Sequence, residues 1–139
     1  MNENFERCFN FLMKWEGGYV NNPDDPGGET NFGISKRSFP DLDIANLTTE
    51  DAKKIYRDHY WTPCNCQNKP WPWDLIVFDT AVNISVKRAL VLFQEHADWK
   101  DYLLGRIKYY ISISPKTKDR FLKGWINRVL ALNTEALRR

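Results

Sequence analysis

Cysteine is scarce in this sequence and oddly placed: Cys8, Cys64 and Cys66 form an odd set, and no second pair lies near Cys64-Asn65-Cys66 to complete a zinc site. A disulfide framework is therefore not expected, and synthesis in a reducing compartment is. Long apolar runs are missing as well. No segment approaches the roughly 18 apolar residues of a membrane span, and the N-terminus, Met1-Asn2-Glu3-Asn4-Phe5-Glu6-Arg7, opens polar and acidic, unlike a Sec-type signal peptide. The expectation is synthesis in the cytoplasm without a signal peptide, no stable membrane insertion, and a separate route of release if the target lies outside. Charge of one sign is also lacking: twenty Lys and Arg against eighteen Asp and Glu leave +2, too little to announce a nucleic-acid partner. The two histidines, His59 and His96, share no metal-ligand spacing, so no metal is expected and His59 reads as a core or groove-edge imidazole. There is no Gly-x-Ser-x-Gly elbow and no phosphate loop, and Cys8 falls inside a helix; nucleophilic hydrolase chemistry and a bound cofactor are both disfavoured.

Aromatic residues are plentiful: six Trp, six Tyr and eight Phe in 139 residues supply either an aromatic core or a ring-lined groove. That length fits one domain with a real core better than two. The patterning is mainly α. Phe5, Cys8, Phe9, Leu12 and Trp15 recur at three- and four-residue intervals, the apolar face of a helix from about residue 3 to 15, and Gly17-Gly18 stops it. Glu16 is thereby held at the end of a packed helix.

Residues 19–34 are too rich in Gly, Pro, Asn and Asp for a core element. Tyr19-Val20 and Thr30 to Ile34 are short arms able to pair as a hairpin, which would return Asp25 and Thr30 toward Glu16. Calcium fits poorly: an EF-hand count from Asn22 meets Pro26 where a ligand is due and Gly33 where the closing Glu should stand.

Beyond this lobe the chain reads as helices. Thr48 and Asp51 form a capping box for a helix through about Tyr60, ended by Trp61 and Pro63. Residues 62–73 form a loop closing in Trp71-Pro72-Trp73, either packing or a platform for sugar rings. Leu75, Ile76, Phe78, Ala81 and Val82 mark a central helix, on which Asp79 and Asn83, one turn apart, can hold each other or the next helix. Ser85 and Asp98 cap two more, the second carrying Tyr102, Leu103, Arg106, Tyr109 and Tyr110. Ser114-Pro115 predicts a new helix start, and the last helix is expected to bury Phe121, Leu122, Trp125, Ile126 and Val129 before fraying from Thr134.

A carboxylate at a helix end followed by a second in a loop is a layout for glycoside hydrolysis. That reaction needs one carboxylic acid to protonate the leaving oxygen and another group to activate water or stabilise the oxocarbenium-like state. Glu16, beside Trp15, suits the acid; Asp25, among loop backbone donors, suits an ionised role, with Asp24 and Glu29 as rivals. Thr30 offers a hydroxyl to orient water.

The residues Glu16-Gly17-Gly18-Tyr19 and Asp25-Pro26-Gly27-Gly28-Glu29-Thr30-Asn31-Phe32-Gly33-Ile34 resemble the N-terminal motif of glycoside hydrolase family 108. These are peptidoglycan N-acetylmuramidases with a lysozyme-like fold, found in phage endolysins and in bacterial muramidases that assist secretion. The similarity continues in Tyr56 to Trp61, in Phe78-Asp79-Thr80-Ala81-Val82-Asn83 and in Gly124-Trp125-Ile126-Asn127-Arg128-Val129. It implies a lysozyme-like helical domain with a small hairpin-containing lobe near residues 19–34. Glu16 would be its catalytic glutamate, and Tyr19, Tyr60, Trp61, Asp79 and Asn83 would contact substrate. The layout is also similar to phage-type lysozymes, in which an Asp nine residues after the Glu and a Thr before a Gly-Ile pair hold the attacking water. This implies an inverting role for Asp25 and Thr30, with the interval from Thr30 to Gly33 one residue longer here.

The implied partner is bacterial peptidoglycan, acted on by a monomer with no cofactor. Residues 75–133 resemble a shortened form of the family's peptidoglycan-binding region: residues 94–102 lack its Asp-Gly and Gly-Pro turns, and Ile84-Ser85 follow Asn83 where a Gly is common. The alternative is a catalytically silent peptidoglycan-binding homologue acting in secretion or regulation.

Overall fold

The computed structural model describes residues 4–24, 26–117 and 120–138. Helix α1 (Phe5–Glu16) buries Phe5, Cys8, Phe9, Phe11 and Leu12, and it stops where Gly17 takes a φ of 69°, in the region that favours glycine. Trp15 departs from its expected place. It is 38% exposed and lines a surface groove with Phe11, Lys14 and residues near the chain's C-terminal end.

The lobe after α1 is a three-stranded antiparallel sheet rather than a single hairpin. β1 (Val20–Asn21) pairs with β2 (Glu29–Asn31), which pairs with β3 (Ile34–Ser35). Register sets Val20 opposite Thr30 and Thr30 opposite Ser35, so these three share one face; Asn21 opposite Glu29 and Asn31 opposite Ile34 occupy the other. That second face is the anchored one. Asn31 and Ile34 are buried, and Asn31 Nδ2 donates to the Ile44 carbonyl at 3.0 Å.

Helix α2 (Thr49–Tyr56) begins with the reciprocal Thr48–Asp51 capping box and widens into one π turn, Arg57–Trp61. Trp61 is thereby carried into the core edge-on to Phe5 and Phe78, while Tyr60 stays half-buried beside Tyr56. Helix α3 (Trp73–Asn83) is the centre of the body, buried from Asp74 through Ala81 and packed by α1, α4 (Val86–Glu95), α5 (Trp99–Thr117) and α6 (Leu122–Ala136). Ser85 caps α4 as expected, accepting from the Arg88 amide.

Two expectations for the last third are corrected. Pro115 lies inside α5 rather than opening a helix. Its missing N–H would have served the Ile111 carbonyl, and the Ser114 hydroxyl donates to that carbonyl instead, at 3.1 Å. Phe121 precedes α6 and is 50% exposed; the buried stripe is Arg128, Val129, Leu132 and Ala136. Among the described residues, no helix is long and apolar enough to cross a membrane.

Candidate active site

Glu16 is the last residue of α1, and its carboxylate is bounded on two sides. Arg128 Nη1 from α6 donates to Oε1 at 2.8 Å, with the Glu16 side chain 20% exposed and that of Arg128 only 7%. On the other side lies the β2–β3 turn, where Phe32 and Gly33 both have positive φ, 54° and 75°, the signature of a type I′ hairpin. A Cβ at Gly33 would lie 2.8 Å from Glu16 Oε2 and 2.6 Å from the Tyr56 hydroxyl. That hydroxyl donates to the Phe32 carbonyl at 2.6 Å, tying the strained residue of the turn to α2. The Tyr56 and Tyr60 phenols both lie above their ordinary range, chiefly through burial and then through the charge of Glu16.

Arg128 is itself held from below. Its Nε donates to both Asp79 oxygens at 3.2 and 3.0 Å, and its Nη2 lies 2.9 Å from Asp79 Oδ2. Asp79 also meets Arg106 Nη2 at 2.7 Å, and Arg106 donates to Tyr110, Thr80 and Asn83. Burial opposes ionisation of Asp79, yet the two guanidinium groups outweigh it and hold the carboxyl below the usual carboxylate range.

Glu16 and Tyr60 are thus brought together, with Tyr56, Gly33 and Arg128 as neighbours the sequence reading did not place there. Thr30 projects from the sheet face opposite the anchored one, half-buried, its hydroxyl donating to the Gly28 carbonyl at 3.3 Å. Glu29, the preceding residue on the strand, points to the other face and accepts a hydrogen bond from the exposed Tyr19 hydroxyl, which pushes that phenol up. Asp24 is exposed, its amide donating to Asn22 Oδ1 at 3.0 Å. Asp25 lies outside the described residues.

Trp61, 3% exposed, packs in the aromatic core, and Asp79, fully buried, belongs to the ion cluster. Asn83 accepts from Arg106 and from the Tyr110 hydroxyl, holding α5 rather than Asp79. His59 is exposed, edge-on to Phe39, at the rim of a groove with Asp43 and Asp58. Trp71 and Trp73 line a separate groove of about 830 Å³ with Trp99, at the Asn4 and Arg7 end of α1, with the Arg7 guanidinium 3.7 Å from the centre of the Trp71 ring. No three potential metal ligands converge among the described residues.

The residue missed was Arg128. Its signal was present: with Leu132 and Ala136 it follows a four-residue spacing on the buried stripe of α6, so a charge stands among apolar neighbours and demands a carboxylate.

A carboxylate at the end of a core helix, backed by a helical bundle and faced by a small antiparallel lobe, defines a lysozyme-like domain. Residues 9–84, more than half of the chain, match the family described as Glycosyl hydrolase 108, and the chain belongs to that family. The fold is similar to that of a solved structure from Brucella abortus, SagA, with a TM-score of 0.82 and 24% identity over 96% of this chain and 94% of that one. No curated protein matches the sequence.

Proposed function

We propose that the protein is a peptidoglycan N-acetylmuramidase that hydrolyses the β-1,4 bond between N-acetylmuramic acid and N-acetylglucosamine, with Glu16 as general acid. The observation that carries this reading is the half-buried Glu16 carboxylate held between Arg128 and the Gly33 turn, in a chain of a glycosyl hydrolase family. A glycosidic leaving oxygen must be protonated by a group held within hydrogen-bond reach. Glu16, rigidly mounted and still 20% exposed, meets that demand.

The attacking water is assigned to Asp25, which lies in sequence between β1 and β2, and to Thr30, whose face of the sheet is not consumed by packing. An inverting outcome follows from that assignment, since water then attacks directly. Tyr19 and Tyr60 are the sugar-contacting residues in this reading. The partner is bacterial peptidoglycan, reached outside the cytoplasm, and residues 75–133 would serve as a compact wall-binding portion of a monomeric domain.

The test is mass spectrometry of muropeptides released from purified peptidoglycan by wild type and by Glu16→Gln. New muramic-acid reducing ends from wild type alone would support the reading, and their anomeric form at early time would test inversion. Fragment release by neither protein, with both folded and bound to the wall, would replace it with a silent peptidoglycan-binding homologue.

A further inference from the structure

We infer that the two oxygens of Glu16 have different duties, and that Asp79, which no substrate can reach, enforces the division by positioning Arg128. This rests on the general-acid role of Glu16. A guanidinium carries donors only, so Oε1, bonded to Arg128 Nη1 at 2.8 Å, must accept there and cannot present a proton in that direction. The transferable proton therefore belongs on Oε2, the oxygen turned toward Gly33 and the small lobe.

The assignment holds only while Arg128 stays in place, and the structure shows what keeps it there. Asp79 accepts from Nε with both oxygens and lies in ion-pair contact with Nη2, so the guanidinium is held on the side away from Glu16. Asp79 is fixed in turn by Arg106, whose remaining donors are taken by Tyr110, Thr80 and Asn83. The chain of contacts runs from α1 through α6 and α3 to α5, all within the helical body. Arg128 is thus aligned from within the body, while the Gly33 turn bounds the other side of Glu16. A largely buried ion cluster is at best a modest net stabiliser, because desolvation offsets much of the attraction. Alignment is what this one supplies.

Asp79 is accordingly a positioning residue, and the test separates that role from a merely structural one. In the full-length protein the side-chain amide introduced by Glu16→Gln should place its NH2 on the Gly33 side, giving nuclear Overhauser contacts to the Gly33 α protons. Contacts to Arg128 in their place would overturn the assignment. This arm needs no turnover, so it stands even if the muramidase reading fails, which inactive wild type would show.

In the active enzyme, Asp79→Asn should lower kcat on peptidoglycan by roughly 10- to 100-fold with KM within about twofold, the pattern of a misaligned acid. If that variant does not fold, Arg128→Lys, which keeps the charge and removes the fork, should show the same split. A folded variant with unchanged kcat, or one in which only KM rises, would overturn the positioning role.

Discussion

Gly33 and Glu16 approach so closely that a Cβ on the glycine would lie 2.7 Å from the Cβ of Glu16, well inside van der Waals contact. The turn of the small lobe and the end of α1 are therefore fitted to each other, and the absence of one side chain is what allows a lobe strand to reach the carboxylate.

Gly33→Ala should accordingly damage both stability and turnover. The φ of 75° disfavours any side chain, and the added methyl must displace Glu16 or the Tyr56 hydroxyl. A loss of about 1–3 kcal/mol in denaturant unfolding is expected, together with a fall in peptidoglycan turnover larger than the stability loss explains. Wild-type behaviour in both measurements would show that the turn is not fitted as described.

Asp79→Asn should destabilise the fold by about 3–5 kcal/mol near neutral pH, the usual result of leaving buried charges without their partner. The effect has a defined pH window. Because the folded-state pKa of Asp79 is depressed below its unfolded value of about 3.9, its ionised form contributes stability above that value, and the contribution is lost as pH falls through the lower folded pKa. The gap in melting temperature between wild type and Asp79→Asn should be constant from about pH 5 upward and narrow in more acidic solution. A gap that widens with acid would contradict the ion-cluster account.

The fold was legible where local chemistry decides: the capping box at Thr48 and Asp51, the glycine stop after Glu16, and the apolar run of α3 all act within a few residues. Pro115 misled because a proline near a helix C-terminus and one at a helix start look alike in sequence, and it is the helix running from Trp99 through it that tells them apart. The site was half legible for the same reason. Glu16 and its lobe are neighbours in sequence, whereas Arg128, 112 residues away, arrives by tertiary packing. The clue lay in opposite charges on apolar faces, Asp79 within Leu75 to Val82 and Arg106 and Arg128 on their own buried stripes. The same observation explains why Asp79 anchors two guanidinium groups.

Tyr56→Phe removes the hydrogen bond to the Phe32 carbonyl while keeping the ring that packs edge-on to Phe9 and Phe78. A loss of about 1 kcal/mol is expected, somewhat more if the carbonyl stays buried without a donor. Because the bond restrains a turn with a non-glycine residue at φ 54°, amide hydrogen exchange should accelerate in β2 and β3 and not in α3. Uniform acceleration across both would mean that the hydroxyl supports the body rather than the lobe.

Thr30 gives the sharpest separation of catalysis from folding. Its hydroxyl makes one long hydrogen bond, 3.3 Å to Gly28, so Thr30→Ala should change stability by less than about 1 kcal/mol. If the hydroxyl orients the attacking water, the same variant should lose on the order of 100-fold in kcat, while Thr30→Ser, which restores an oxygen at the same atom, should recover most of it. Steady-state turnover on purified peptidoglycan, with unfolding curves in parallel, decides the matter. Full activity in Thr30→Ala would remove Thr30 from the mechanism and leave the water to Asp25 alone, a role that Asp25→Asn would then have to abolish.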